Sequence, residues 1–256
     1  MFLAIDAGNS NVVFALFDPK NGKWTNQFRL ETQTPKLISQ LGKKVPLYFL
    51  EHGIYPTEIS QIGFSSVVPE INEVITQFCE GFFGQAPYLI NPESYKKLPV
   101  KPVRPNEIGS DLMCNVIAAY SRVQGPVIVV DFGTALTFTT VDEKGKIMGV
   151  SIVPGLHTAI KALFMNTSKL PEVELKLPES VLGKNTIHAI QSGVLYGYTG
   201  LVKGMLESIQ KETGTKFTIL ATGGLSSILT NLQDEFDQVD KNLTLDGLRL
   251  ITEANQ

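Results

Sequence analysis

Two aspartates occupy the same short motif about 125 positions apart, Asp6-Ala7-Gly8 and Asp131-Phe132-Gly133. Each follows an apolar run, Met1 to Ile5 in one case and Pro126 to Val130 in the other. A glycine at such a point lets the backbone turn sharply and lets a phosphate approach the peptide N–H groups. Asn9, Ser10 and Asn11 beside the first motif, and Thr134 beside the second, are small polar residues able to donate to phosphoryl oxygens. An aspartate facing the same space can hold a cation, directly or through water, and so offset phosphate charge. Thr222-Gly223-Gly224, after a third apolar run, supplies another close-approach turn suited to a nucleoside or an α-phosphate. Any one of these alone reads equally well as a tight hairpin turn; the three in this order point to a nucleotide. Neither the P-loop nor the Rossmann glycine pattern occurs.

The elements that must carry these turns repeat. Met1–Ile5 and Val12–Phe17 read as two strands around the first motif, and Trp24–Glu31 as a third after the Asn21-Gly22 turn. Pro126–Val130, Leu136–Val141 and Lys146–Ile152, with a turn at Asp142-Glu143-Lys144-Gly145, repeat that grammar in the second half, which implies internal duplication. Helices are expected at 35–52, a stretch that contains Pro46, and at 70–83, 110–123, 157–166 and 186–213, with one more at the C-terminus. Further strands are expected at Ile62–Val68 and Phe217–Ala221. The stretch from Asn91 to Asn106 holds Pro92, Pro99, Pro102 and Pro105 and is expected to be an irregular, functional loop. The halves are expected to be residues 1–120 and 121–256.

Composition narrows the class. The chain has 256 residues, 43% of them hydrophobic and 18% charged, enough apolar material for a sizeable core. A net charge of −3 gives no general attraction to nucleic acid or anionic lipid, so neither is an expected partner. No window reaches the ~18 apolar residues of a membrane span. The N-terminus lacks the basic-then-apolar pattern of a signal peptide. Cys79 and Cys114 have neither paired-thiol nor zinc-ligand spacing. A cytoplasmic enzyme is the expectation.

The arrangement resembles the superfamily of acetate and sugar kinases, Hsp70 and actin, in which two ribonuclease-H-like α/β halves surround a nucleotide cleft. Within it the chain resembles type III pantothenate kinases over nearly its whole length. The segments that carry the likeness are, in order, Asp6-Ala7-Gly8-Asn9-Ser10-Asn11, Ser65-Ser66-Val67-Val68-Pro69, Asp131-Phe132-Gly133-Thr134-Ala135, Pro154-Gly155-Leu156, Lys169-Leu170-Pro171, Gly183-Lys184-Asn185-Thr186, Gln191-Ser192-Gly193, Ala221-Thr222-Gly223-Gly224 and Leu243-Thr244-Leu245-Asp246-Gly247-Leu248. The resemblance implies phosphorylation of pantothenate by ATP, the first step of coenzyme A synthesis. It implies that residues 6–13, which end with Val12 and Val13, hold ATP together with Thr134, and Gly223 joins them as the close-approach turn. It implies that Asp131 binds a monovalent cation, potassium or ammonium; a magnesium requirement is left open. It makes Asp111 the catalytic base, and Gly109, Ser110, Asp111, Leu112 and Thr186 the pantothenate contacts. Thr186 would reach the acceptor across a homodimer interface. Taken without the resemblance, Asp111 reads as a carboxylate at a helix N-terminus.

The chain departs from the family pattern in the acceptor region. Leu112 stands where the family usually has an arginine, Pro102 where it commonly has a tyrosine, and Val150 where it has the second glycine of a pair. Leucine cannot make the charge-assisted bond a guanidinium makes to the pantothenate carboxylate. Arg104, Lys101 and Tyr95 are the candidates to replace it. Two alternatives accompany the pantothenate kinase reading: a nucleotide-binding accessory or regulatory protein, and a kinase for a different small acceptor. His52, His157 and His188 have no ligand spacing, and Cys114 reads as a small buried helix residue.

Overall fold

A computed structural model describes residues 1–226 and 228–256 of the chain. Its contacts divide into two units, Met1–Ala118 with Thr244–Gln256, and Ala119–Leu243.

The first unit is built on strands β1 (Phe2–Ala7), β2 (Asn11–Asp18), β3 (Lys23–Glu31), β4 (Gln61–Ser66) and β5 (Tyr88–Leu89), in the order β3-β2-β1-β4-β5. β2 pairs antiparallel with β1 and β3, while β4 runs parallel to β1 and to β5. Helices α1 (Thr34–Glu51) and α2 (Asn72–Phe83) bury one face each against the sheet. The resulting core includes Leu3, Ile5, Phe14, Leu37, Phe49 and Phe64. Helix α3 (Ser110–Val123) begins in this unit.

The second unit repeats the plan. Strands β6 (Val127–Phe132), β7 (Ala135–Val141), β8 (Ile147–Pro154), β9 (Thr218–Thr222) and β10 (Gln238–Val239) take the order β10-β9-β6-β7-β8. The pairing directions match strand for strand. Helices α4 (Leu156–Met165) and α5 (Thr186–Thr213) supply Leu156, Ile160, Leu195 and Leu206 to a core with Ile128, Val130 and Phe138. The duplication read from the strand–turn grammar is therefore present in full. Its fifth members, β5 and β10, escaped the sequence reading because two-residue strands carry no periodicity.

Three other differences have plain causes. Pro46 lies inside α1 without ending it. Pro92–Tyr95 forms a 3-10 turn inside the proline-rich loop, capped by the Asn91 side chain, which accepts from the Glu93 N–H at 2.9 Å. The last helix, α6 (Leu243–Asn255), groups with the first unit, whereas the second half was expected to run through residue 256. Trp24 Nε1 donates to Asp246 at 2.8 Å, Thr244 donates to Asn115 on α3 at 2.7 Å, and Arg249 lies 4.4 Å over the Phe17 ring. These partners are far away in sequence, so no local pattern could announce them.

Candidate functional site

Asp6 is the penultimate residue of β1, in register with Val13 on β2 and Ser65 on β4. The link to β2 is short, and the Gly8 N–H donates to the Asn11 carbonyl at 3.0 Å. Its backbone is braced from two sides. Thr32 donates its hydroxyl to the Gly8 carbonyl at 2.7 Å, and the Val67 N–H reaches the Ala7 carbonyl at 3.0 Å. The side chains of Asn9, Ser10 and Asn11 are exposed on this braced turn, which is what a phosphate cradle needs. Ala7 and Val12 belong to the core, so they can offer a ligand only their backbone.

The same unit brings α3 to this turn. Ser110 Oγ lies 2.9 Å from Ser65 Oγ, accepts from the Ser66 N–H at 3.1 Å and lies 3.2 Å from the Ser66 carbonyl. The hydroxyl of Ser110 thus ties the start of α3 to the end of β4, beside Asp6. Asp111 follows at once, its carboxylate accepting from the Leu112 N–H at 2.8 Å. Burial holds the Asp111 carboxyl above the usual carboxylate range, against the opposing pull of backbone N–H groups. Gly109 matters here, because a Cβ on it would collide with the Asp111 carboxylate. Cys114, one turn further on, is fully buried. Burial pushes its thiol well up, and the charges of Asp6 and Asp111 act in the same direction. That makes it an inert thiol, in keeping with its reading as a small buried helix residue.

In the second unit Asp131 occupies the position equivalent to Asp6, in register with Thr137 on β7 and Thr222 on β9. The turn after it is braced through the Thr134 carbonyl, which accepts from the Gly155 N–H at 2.9 Å and the Thr158 hydroxyl at 2.7 Å. Gly223 adopts φ +90°, and a Cβ there would lie 2.6 Å from Asp131 Oδ1, so the Thr222–Gly223 turn and the Asp131 carboxylate are in close contact. Asp131, Thr134 and Gly223 therefore converge on one end of this sheet.

Thr186 stands elsewhere in that unit, as the first residue of α5. Asn185 caps the helix by accepting from the His188 N–H at 2.9 Å. A groove of about 580 Å³ passes Thr186, walled by Leu163, Leu170, Ile190 and Val194. Gly183 and Lys184 complete its polar side.

The three candidates for the missing guanidinium have other partners or are buried. Arg104 is engaged by both oxygens of Glu107 at 3.1 Å, and Lys101 donates to the Lys96 carbonyl at 2.8 Å. Tyr95 is buried, and its hydroxyl is pushed far up, mainly by burial, with Cys114 and Asp111 adding to the effect. Val150 lies on the exposed face of β8. The braces Thr32 and Thr158 were not found from sequence, and Ser65 was read only as part of a family segment, without its anchoring role. Ser65 carried a signal, being a polar residue at the end of a buried strand.

Residues 2–208 match the sequence family described as type III pantothenate kinase. The chain is 41% identical over 256 residues to the type III pantothenate kinase of Brevibacillus brevis, covering the whole of both chains. It is 39% identical over 255 residues to that of Myxococcus xanthus, covering 100% of this chain and 99% of the relative. Among solved structures, one described as a Baf family transcriptional activator of Campylobacter jejuni superposes with TM-score 0.59 at 23% identity, over 99% of this chain and 98% of that one. A 2-dehydro-3-deoxygalactonokinase from Sinorhizobium meliloti gives TM-score 0.57 at 12% identity, over 100% and 97%. At such identities the structural likenesses show the fold, a duplicated ribonuclease-H-like α/β fold of the actin-like ATPase type.

Proposed function

The chain belongs to the type III pantothenate kinase family and is a pantothenate kinase, an ATP-dependent enzyme of coenzyme A biosynthesis; we propose how its residues divide that work. The observation that supports this division is the Ser65–Ser110 contact, which ties the start of α3, and with it the half-buried Asp111, to the strand paired with Asp6. The exposed polar turn at Asn9, Ser10 and Asn11 binds ATP phosphate oxygens, with Asp6, Ala7, Gly8, Val12 and Val13 forming its frame. Thr134 and Gly223 are assigned to the nucleotide as well.

Asp111 acts as general base. It accepts the proton of the pantothenate hydroxyl as that oxygen bonds to the γ-phosphorus of ATP, and the bond from that phosphorus to the bridging oxygen of ADP breaks. A loose phosphoryl transition state needs positioning and charge stabilisation rather than covalent help, so one carboxylate suffices. Its raised pKa suits the role, because a stronger base is better matched to an alcohol near neutral pH. Gly109 and Ser110 place it, and Leu112 and Thr186 line the acceptor. Without a guanidinium at position 112, pantothenate binds through weaker contacts.

Asp131 would hold a monovalent cation, which would supply positive charge that offsets phosphate charge. The donor set fits a singly charged ion. A single carboxylate presents one negative charge, which matches a singly charged ion.

The protein acts as a homodimer joined through its second unit. Met148, Val150 and Ile152 are exposed together on β8, Phe164 and Met165 at the end of α4, and Leu182 and Ile187 beside Thr186. This exposed apolar surface, part of it on the residues next to Thr186, supports a partner on this unit. Among the described residues no helix is long and apolar enough to cross a membrane, and both cysteines are free. Those features support a cytoplasmic location.

The deciding experiment is ATP turnover in potassium buffer with and without pantothenate. ADP and phosphopantothenate should form in equal amounts, and only when pantothenate is present. ATP binding without pantothenate-dependent turnover would favour the accessory or other-acceptor alternatives.

A further inference from the structure

The end of the second sheet contains an arrangement that the cation reading of Asp131 does not by itself account for. Asp131 has in-register neighbours on both sides, Thr137 and Thr222. Residues directly opposite each other on paired strands project to the same face, so the three side chains form one polar row across β7, β6 and β9. Thr222 is 0% exposed and Thr137 8% exposed, and neither hydroxyl has a hydrogen-bond partner among the described residues. A buried hydroxyl without a partner costs stability, and two of them flanking one carboxylate call for a ligand. The equivalent row in the first sheet is Val13, Asp6 and Ser65. There one neighbour has no polar atom, and the hydroxyl of the other already contacts Ser110 at 2.9 Å.

We propose that Thr137 and Thr222 supply neutral oxygens, directly or through one water, to the cation held by Asp131. The proposal rests on the cation reading above and adds two residues to it. One carboxylate with two hydroxyls presents a single negative charge among neutral oxygens, which suits a singly charged ion. Gly223 limits the space on one side, because a Cβ there would lie 2.6 Å from Asp131 Oδ1.

The test is thermal melting of the intact protein with ATP present and pantothenate absent. Potassium chloride is titrated against tetramethylammonium chloride at constant ionic strength. The unmodified protein should show a saturable, potassium-specific rise in melting temperature, and Asp131→Asn should show none. Thr137→Val and Thr222→Val should each move the half-saturating potassium concentration up by tenfold or more. Thr137→Ser and Thr222→Ser, which keep the hydroxyl, should remain near the unmodified value. Without potassium the valine variants should melt no lower than the unmodified protein, because each replaces an unpartnered hydroxyl by a methyl group of similar size. Alanine variants carry the same expectation for potassium should a valine variant fail to fold. Valine and alanine variants with unchanged half-saturation would overturn the role of the hydroxyls while leaving Asp131 as the cation residue. An unmodified protein with no potassium-specific rise would overturn the cation reading and this proposal together.

Discussion

The two units share a strand order and place an aspartate at the same point of the same strand, yet they surround it differently. In the first, Asp6 lies beside Val13 and a Ser65 hydroxyl occupied by Ser110, and that contact brings a helix with a second carboxylate to the turn. In the second, Asp131 lies beside two buried threonine hydroxyls and against Gly223. Under the proposed division of roles, the first arrangement would serve proton transfer and the second charge compensation. Their outer strands differ as well. β3 turns Lys23, Thr25, Gln27, Arg29 and Glu31 to solvent, the usual protection of an edge strand. β8, its counterpart, exposes Met148, Val150 and Ile152. Duplication conserved the frame, and the functional difference lies in the side chains placed on it.

The most damaging change to this comparison should be Asp111→Asn. Loss of a general base commonly costs ~10²–10⁴-fold in rate, so kcat should fall by about that factor while calorimetric ATP binding persists. The pH profile of the unmodified enzyme should agree. Because the carboxyl is raised, kcat/KM should fall on the acid side through a pKa above the usual carboxylate range. The stability consequence has the opposite sense to that of a salt-bridged aspartate. The native state keeps a proton that the unfolded chain has already lost, so this group's contribution falls as pH rises from the ordinary aspartate value through the raised one. Asp111→Asn should therefore melt no lower than the unmodified protein at neutral pH; a markedly lower melting temperature would show the carboxylate to be structural.

Exchanging the roles of the two turns is the next test. Asp131→Asn should lower turnover and abolish the preference for potassium over sodium. Asp6→Asn, which alters the frame of the phosphate-binding turn and not the cation site, should weaken ATP binding and keep that preference. Equal cation responses in the two variants, measured by initial rates in each salt, would erase the proposed asymmetry.

A smaller and favourable effect is expected at the acceptor. Leu112→Arg should restore a charge-assisted partner for the pantothenate carboxylate and lower its KM by about tenfold, from the ~1.5–3 kcal/mol of such bonds. An unchanged KM with intact kcat would show that other groups already hold the carboxylate. The least disturbance to the folded protomer should come from Ile152→Lys, which gives β8 the kind of residue β3 carries. An exposed substitution of this type should alter protomer stability within ~0.5 kcal/mol, while sedimentation should shift from dimer to monomer. A dimer that survives this change, and a matching one at Met148, would mean that β8 faces solvent in the assembly.

Much of this was legible in the order of the residues. Apolar runs closed by Asp6-Ala7-Gly8, Asp131-Phe132-Gly133 and Thr222-Gly223-Gly224 announced the strands, the turns and their duplication, because alternation, turn chemistry and glycine are local properties. The bounds of α5 followed for the same reason, with Asn185 as cap and Gly214 in the left-handed region at φ +63° closing it. Tertiary structure alone decided which neighbours each aspartate has. Val13 and Thr137 occupy matching strand positions, but Ser65 and Thr222 enter the rows through parallel pairing with strands far along the chain. The same long-range pairing returned α6 to the first unit and tied Ser110 to β4. Whether a buried hydroxyl has a partner depends on which groups the packing brings within hydrogen-bond distance, and that distance is set by the closed fold and not by sequence separation.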